Sequence, residues 1–89
     1  MSNMFSQAAS FLHIPKDVIP GEPVITMTGR QNVYIENYNR IISFVDNEVK
    51  IQARTCRIIV EGKRLEIRYY TGDDILITGI IHSVVTENR

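Results

Sequence analysis

The side chains with the most capacity for chemistry are few: His13, His82, Cys56, the acid pair Asp73-Asp74, the carboxylates Glu61 and Glu66, and four tyrosines near a set of arginines. Metal chemistry needs three or four ligands at short spacings. Neither histidine has a partner at such a spacing, and the chain holds no CxxC, no HExxH and no glycine-rich phosphate loop. Cys56 is the single cysteine. A reactive thiol needs cationic surroundings, and Arg54 and Arg57 beside it in sequence support that only weakly. A small half-buried residue is the simpler reading. Asp73-Asp74 follow Gly72, where acids usually shape a turn. These residues imply no catalytic centre, no metal, no cofactor and no small-molecule substrate. The expectation is a protein that is not an enzyme.

The tyrosines Tyr34, Tyr38, Tyr69 and Tyr70 are more informative, with Arg54, Arg57, Arg64 and Arg68 in the same segments. All four are expected to be at least partly exposed. Aromatic and arginine side chains together suit a protein interface or a stacking platform for single-stranded nucleic acid, and strand propensity alone accounts for some of them. Ten basic and ten acidic residues leave a formal net charge of zero. A protein whose main work is to hold a phosphate backbone usually carries an excess of Lys and Arg, so composition favours a protein partner over nucleic acid.

The elements that must position these groups follow from a repeat. Apolar, any, apolar, any, turn residue recurs as Ile25-x-Met27-x-Gly29, Ile42-x-Phe44-x-Asp46, Ile58-x-Val60-x-Gly62 and Ile75-x-Ile77-x-Gly79, the turn positions spaced by 17, 16 and 17 residues. A second alternating pair follows the first three turns: Val33/Ile35, Val49/Ile51 and Leu65/Ile67. Each unit fits one β-hairpin. With Gly62-Lys63 as a two-residue loop, Glu61 faces Arg64, Val60 faces Leu65 and Ile58 faces Ile67. With Asp46-Asn47 as the loop, Val45 faces Glu48, Phe44 faces Val49 and Ile42 faces Ile51. Tyr69 to Gly72 makes a turn with Gly72 at a left-handed position, placing Arg68 opposite Asp74.

The spacing therefore predicts an all-β antiparallel meander of seven to eight short strands. Its one continuous apolar face forces it to curl into a small barrel or a sandwich, or to pair with a second copy. The rival use of the same period is a parallel β-solenoid. Residues 24–86 form the all-β domain and 87–89 a tail. Residues 1–23 break the period: Met4, Ala8, Phe11 and Leu12 suggest a short helix, ended by a lead-in that holds all three prolines. That helix plugs one end of the sheet or meets a partner or a membrane surface. The closing strand is the most apolar stretch, and a period of two leaves either Ile80 or Ile81 on its outer face. Tyr34, Tyr38, Tyr69, Tyr70, Ile80 and Ile81 are thus the candidate interaction surface, for a protein partner or for self-association as a homo-oligomer.

No apolar run reaches the roughly 18 to 20 residues that span a bilayer. The N-terminus lacks the basic lead and long apolar core of a signal peptide. With a lone thiol, this leads one to expect a cytoplasmic protein.

The segments "IPKDVI", "PVITMTGRQNVYIENYNRIISF" and "IIVEGKRLEIRYYTGDDILITGIIHSVV" resemble, in order and spacing, the YabP/YqfC family of sporulation proteins, the YqfC branch most closely, over residues 14–86. The resemblance implies a small protein of endospore-forming bacteria, expressed in the mother cell and needed for normal spore development, with no catalytic residues to carry over. Relatives often carry a basic leader before "PKDV", and "MSNMFSQAASFLH" is not basic. The expected function is a non-enzymatic assembly or scaffold module. The alternative is a small nucleic-acid-binding β-barrel with a regulatory role.

Overall fold

A computed structural model describes residues 21–88; the helix expected before Gly21 lies outside the described residues. Six strands follow one another: β1 (Val24–Thr28), β2 (Asn32–Glu36), β3 (Tyr38–Val45), β4 (Glu48–Ala53), β5 (Cys56–Tyr70) and β6 (Asp74–Asn88). They form one antiparallel sheet in the order β1-β2-β6-β5-β4-β3. Every pairing is antiparallel, which rules out the solenoid. The strands β1 and β3 are its two ends and do not pair, so the sheet is not closed into a barrel.

The period is real, but it marks two different objects. The first two turn positions are hairpin turns. Ile25 faces Ile35 and Met27 faces Val33 across the first; Val45 faces Glu48 and Phe44 faces Val49 across the second, as expected. The last two turn positions are not turns. Gly62 sits within the 15-residue strand β5, and Gly79 within the 15-residue strand β6. Val60 therefore faces Val49 and Val84, not Leu65; Glu61 faces Glu48 and Ser83, not Arg64; Ile58 faces Ile51 and Thr86, not Ile67. Two expected hairpins become one long bent hairpin, and seven to eight strands become six.

At the bends the register slips, between Glu61 and Gly62 and again between Lys63 and Glu66. Arg64 takes up a left-handed φ of 55° and Gly79 a φ of 142°. The real turns dock onto these bends. The amides of Gly62 and Leu65 donate to the carbonyls of Asn47 (3.1 Å) and Asp46 (2.8 Å), while those of Gly79 and Ile81 donate to Gln31 (3.1 Å) and Arg30 (2.7 Å). Each bend exposes backbone donors that a hairpin tip satisfies, so the unit spacing survives as a docking distance.

Bending splits the sheet into two halves. Residues 74–78 of β6 pair with β2, and residues 57–61 of β5 pair with β4. Only Asn37 separates β2 from β3, which lie four strand positions apart in the sheet. A flat sheet would hold them about 19 Å apart, at about 4.8 Å per strand. Two trans peptide steps reach only about 7 Å. The sheet must therefore fold over on itself. Asn37 makes the corner with a left-handed φ of 67°, a conformation asparagine tolerates. Its side-chain amide donates to the Glu22 carbonyl at 3.0 Å. The halves enclose a single core in which Val33, Ile35, Ile75 and Ile77 of one meet Val49, Ile51, Ile58 and Val60 of the other, all without solvent exposure.

Two further expectations are corrected. Register shifts around Arg40 and between Ile41 and Ser43 place Ile41, not Ile42, opposite Ile51. The turn after β5 is Thr71–Asp73. Tyr70 faces Ile75, a shift absorbs Arg68 instead of setting it against Asp74, and Gly72 is not left-handed.

Candidate interaction surfaces

The four tyrosines do not form one surface. Tyr38 opens β3, is only 7% exposed and belongs to the core, contrary to the expectation that all four reach solvent. Its hydroxyl donates to the Thr71 carbonyl at 2.6 Å, tying the β5–β6 turn to the start of β3. Burial pushes its phenol up, with Tyr70, Asp73 and Asp74 adding to the effect. The turn is knitted further by the Asp73 and Asp74 amides, which donate to Thr71 Oγ1 at 3.0 and 2.9 Å. Asp73 also offers its carbonyl to the Asn37 amide at 2.7 Å. The acid pair thus shapes a turn.

Tyr34 and Tyr69 share a row on the outer face of the first half, with Leu76 between them. Tyr34 donates its hydroxyl to Asp74 Oδ2 at 2.7 Å. That bond, with burial and the carboxylate charge behind it, raises the phenol from 10.0 to about 12. Ionisation would leave a phenolate against a carboxylate. The pKa in the fold lies above that of the unfolded chain, so the bond's contribution to stability is complete below pH 10 and is lost as the pH rises through about 12. An ultraviolet titration of the folded protein should show one phenol ionising near pH 12, and Tyr34→Phe should delete that step. A titration unchanged by the substitution would contradict the assignment. Tyr70 is 63% exposed at the tip of the long hairpin.

Of the two neighbouring isoleucines, Ile81 is 3% exposed and Ile80 is 47% exposed. The outer position expected on the closing strand therefore falls to Ile80. Five other apolar side chains are exposed: Met27 on β1, Ile42, Phe44 and Val45 on β3, and Val85 on β6. The repeat places Met27, Ile42 and Phe44 on the apolar inner face and does not single out Val45 or Val85. Met27 and Phe44 pair with core residues yet lie at the sheet's ends, where no further strand covers them. Recognising them requires the strand order.

Cys56 is half-buried. Burial and the nearby Glu22 carboxylate push its thiol up, and only the Thr55 hydrogen bond opposes them, so the arginines close to it in sequence do not activate it. His82 is exposed; His13 lies outside the described residues. Among the described residues no three His, Cys, Asp or Glu side chains gather to hold a metal ion, and no helix is long and apolar enough to cross a membrane. Sequence reasoning also missed a cationic hollow on the outer face of the second half, lined by Arg40, Ile42, Lys50, Gln52 and Arg57. Alternation places Lys50, Gln52 and Arg57 on that face, whereas the irregular pairing of β3 hides Arg40 and Ile42 from a pattern search.

A folded-over six-stranded antiparallel sheet with apolar side chains along open edges defines a small all-β module whose accessible groups lie on its surface. The YabP family profile matches residues 21–89. The chain belongs to that family. It is 38% identical over 73 residues to the uncharacterized protein YqfC of Bacillus subtilis (strain 168), covering 82% of this chain and 78% of that protein. No solved structure matches it.

Proposed function

We propose that the protein is a non-enzymatic assembly module in the mother cell during endospore formation, working through a protein partner or a second copy of itself. The family's association with sporulation in Bacillus supports the process. The observation that carries the mode of action is the distribution of exposed apolar side chains. Met27, Ile42, Phe44, Val45, Tyr69, Tyr70, Ile80 and Val85 all lie on β1, β3 or the long β5–β6 hairpin, and none lies on β2 or β4. Open strand edges with apolar flanks invite further strands, and exposed apolar patches of this kind mark association surfaces.

The test replaces Val85, on the outer face of the last half-strand, with lysine. Light scattering and capture from sporulating cells would then be compared with the parent chain. The parent should self-associate or retain a partner, and Val85→Lys should weaken this at an unchanged melting temperature. A monomeric parent that retains nothing, or a variant that behaves as the parent does, would overturn the reading.

A further inference from the structure

We propose that the cationic hollow on the outer face of the second sheet half binds a phosphate group, carried by a small organic ester or by a lipid headgroup. The placement of its residues is built into the sheet. Arg40 on β3 faces Gln52 on β4, and Gln52 faces Arg57 on β5. Two guanidinium groups therefore flank one glutamine from neighbouring strands. Lys50 lies two residues along β4 on the same face. With Ile42 these residues line a hollow of about 270 Å³, and none of the five is acidic.

The floor is fixed. Gln52 is 8% exposed, and its amide nitrogen donates to the Ala53 carbonyl at 2.7 Å and the Cys56 carbonyl at 3.2 Å. The wall is shaped by the register shifts on either side of Arg40 and Ile41. Irregularities of this kind re-aim side chains and recur beside binding sites. Here Ile41 takes the place opposite Ile51, and Ile42 turns to the hollow.

The charge is unbalanced. Arg40 and Arg57 flank Gln52 from either side and Lys50 lines the same hollow, so their like charges repel unless something neutralises them. Arg57 lies 3.7 Å from Glu87, with both side chains about half exposed, a pair of small worth in water. No ion pair is seen for Arg40 or Lys50 among the described residues. In a chain of zero net charge, composition does not force three cations together. Guanidinium forks match phosphate oxygens, and a lysine adds a mobile point charge. The volume falls just under the roughly 300 Å³ at which pockets for larger ligands begin. No aromatic side chain lines the hollow to stack a base. A phosphate with a short substituent fits better than a nucleotide.

The test is an amide NMR titration of the full chain with glycerol 3-phosphate, against sodium chloride at matched ionic strength. Sedimentation with phosphatidylglycerol and with phosphatidylcholine vesicles runs in parallel. Saturable shifts should centre on residues 40, 50, 52 and 57. Arg40→Gln and Lys50→Gln should each weaken binding about tenfold, the loss of one charge-assisted contact, without lowering the melting temperature, while Glu66→Gln on the other half changes nothing. Saturable binding of glycerol 3-phosphate identifies a soluble ester as the source. Sedimentation with the anionic vesicles alone, lost in the same two variants, identifies a lipid headgroup. Shifts no larger than those from chloride with no selective sedimentation, or binding that both variants retain in full, would overturn the proposal.

Discussion

Gly62→Ala should unfold the protein or lower its melting temperature by tens of degrees. A Cβ at position 62 would lie 2.0 Å from the Ile80 carbonyl oxygen and 3.0 Å from its carbon. Both are backbone atoms of the paired strand, so no side-chain rotation relieves the clash. The strands would have to separate at the point where two hairpin tips are hydrogen-bonded to them. Steric damage of this class costs on the order of 3 to 5 kcal/mol. For a domain of this size each kcal/mol lowers the melting point by about 4 to 8 °C, against a total stability of about 5 to 15 kcal/mol. Gly79→Ala should act in the same direction: its φ of +142° disfavours any side chain, and its Cβ would meet the Arg64 carbonyl oxygen at 2.7 Å. Gly72 is the control. A Cβ there meets nothing within 4 Å, and Gly72→Ala should leave the melting temperature nearly unchanged. Circular dichroism melts of the three variants decide the matter. A Gly62→Ala protein as stable as Gly72→Ala would mean that β5 does not pass Ile80 as described.

Ile81→Lys and Ile80→Lys should part company just as sharply. Ile81 is 3% exposed and belongs to the core. A lysine there must bury an ammonium group with no anionic partner in the core cluster, a penalty of several kcal/mol after relaxation. That protein should be largely unfolded. Ile80 is 47% exposed, opposite Lys63. A lysine there keeps its charge in water and should cost within about 1 kcal/mol, so the variant should melt close to the parent. If Ile80 also contributes to docking, Ile80→Lys should lose self-association or partner capture while folded. Equal melting temperatures for the two variants would contradict the inside and outside assignments.

Much of the local structure was legible because alternation has a strict physical cause. A residue and its second neighbour share a face, so Val33, Ile35, Val49, Ile51, Ile58, Val60, Leu65, Ile75 and Ile77 are core residues in the sequence pattern and in the fold alike. The hairpins at Gly29 and at Asp46-Asn47 were legible for the same reason, each having matching apolar pairs on both sides of a turn residue. The antiparallel all-β class and the family followed from those segments in order.

Gly62 shows where that reasoning stops. A glycine between two alternating runs fits a tight turn and a bend in a continuous strand equally well. Local pairing does not separate the two, because Val60 finds an apolar partner in either Leu65 or Val49. The choice is made elsewhere, by donors at Gly62 and Leu65 that the Asp46-Asn47 tip satisfies and by the partner strand β6 passing within contact of Gly62. Tyr38 is a second case. Its sequence neighbours suggest a connection, but the fold-over at Asn37 carries it into the core and onto the Thr71 carbonyl.

By itself, the sequence determined which side chains share a face, the two tight hairpins and the four units of nearly equal length, since these depend on contacts a few residues apart. Only the tertiary structure decided that the last two units are bent strands, that the sheet stays open and folds over, and that Arg40, Lys50 and Arg57 converge. Those outcomes rest on hydrogen bonds and clashes between segments distant in the chain, and no local pattern encodes them.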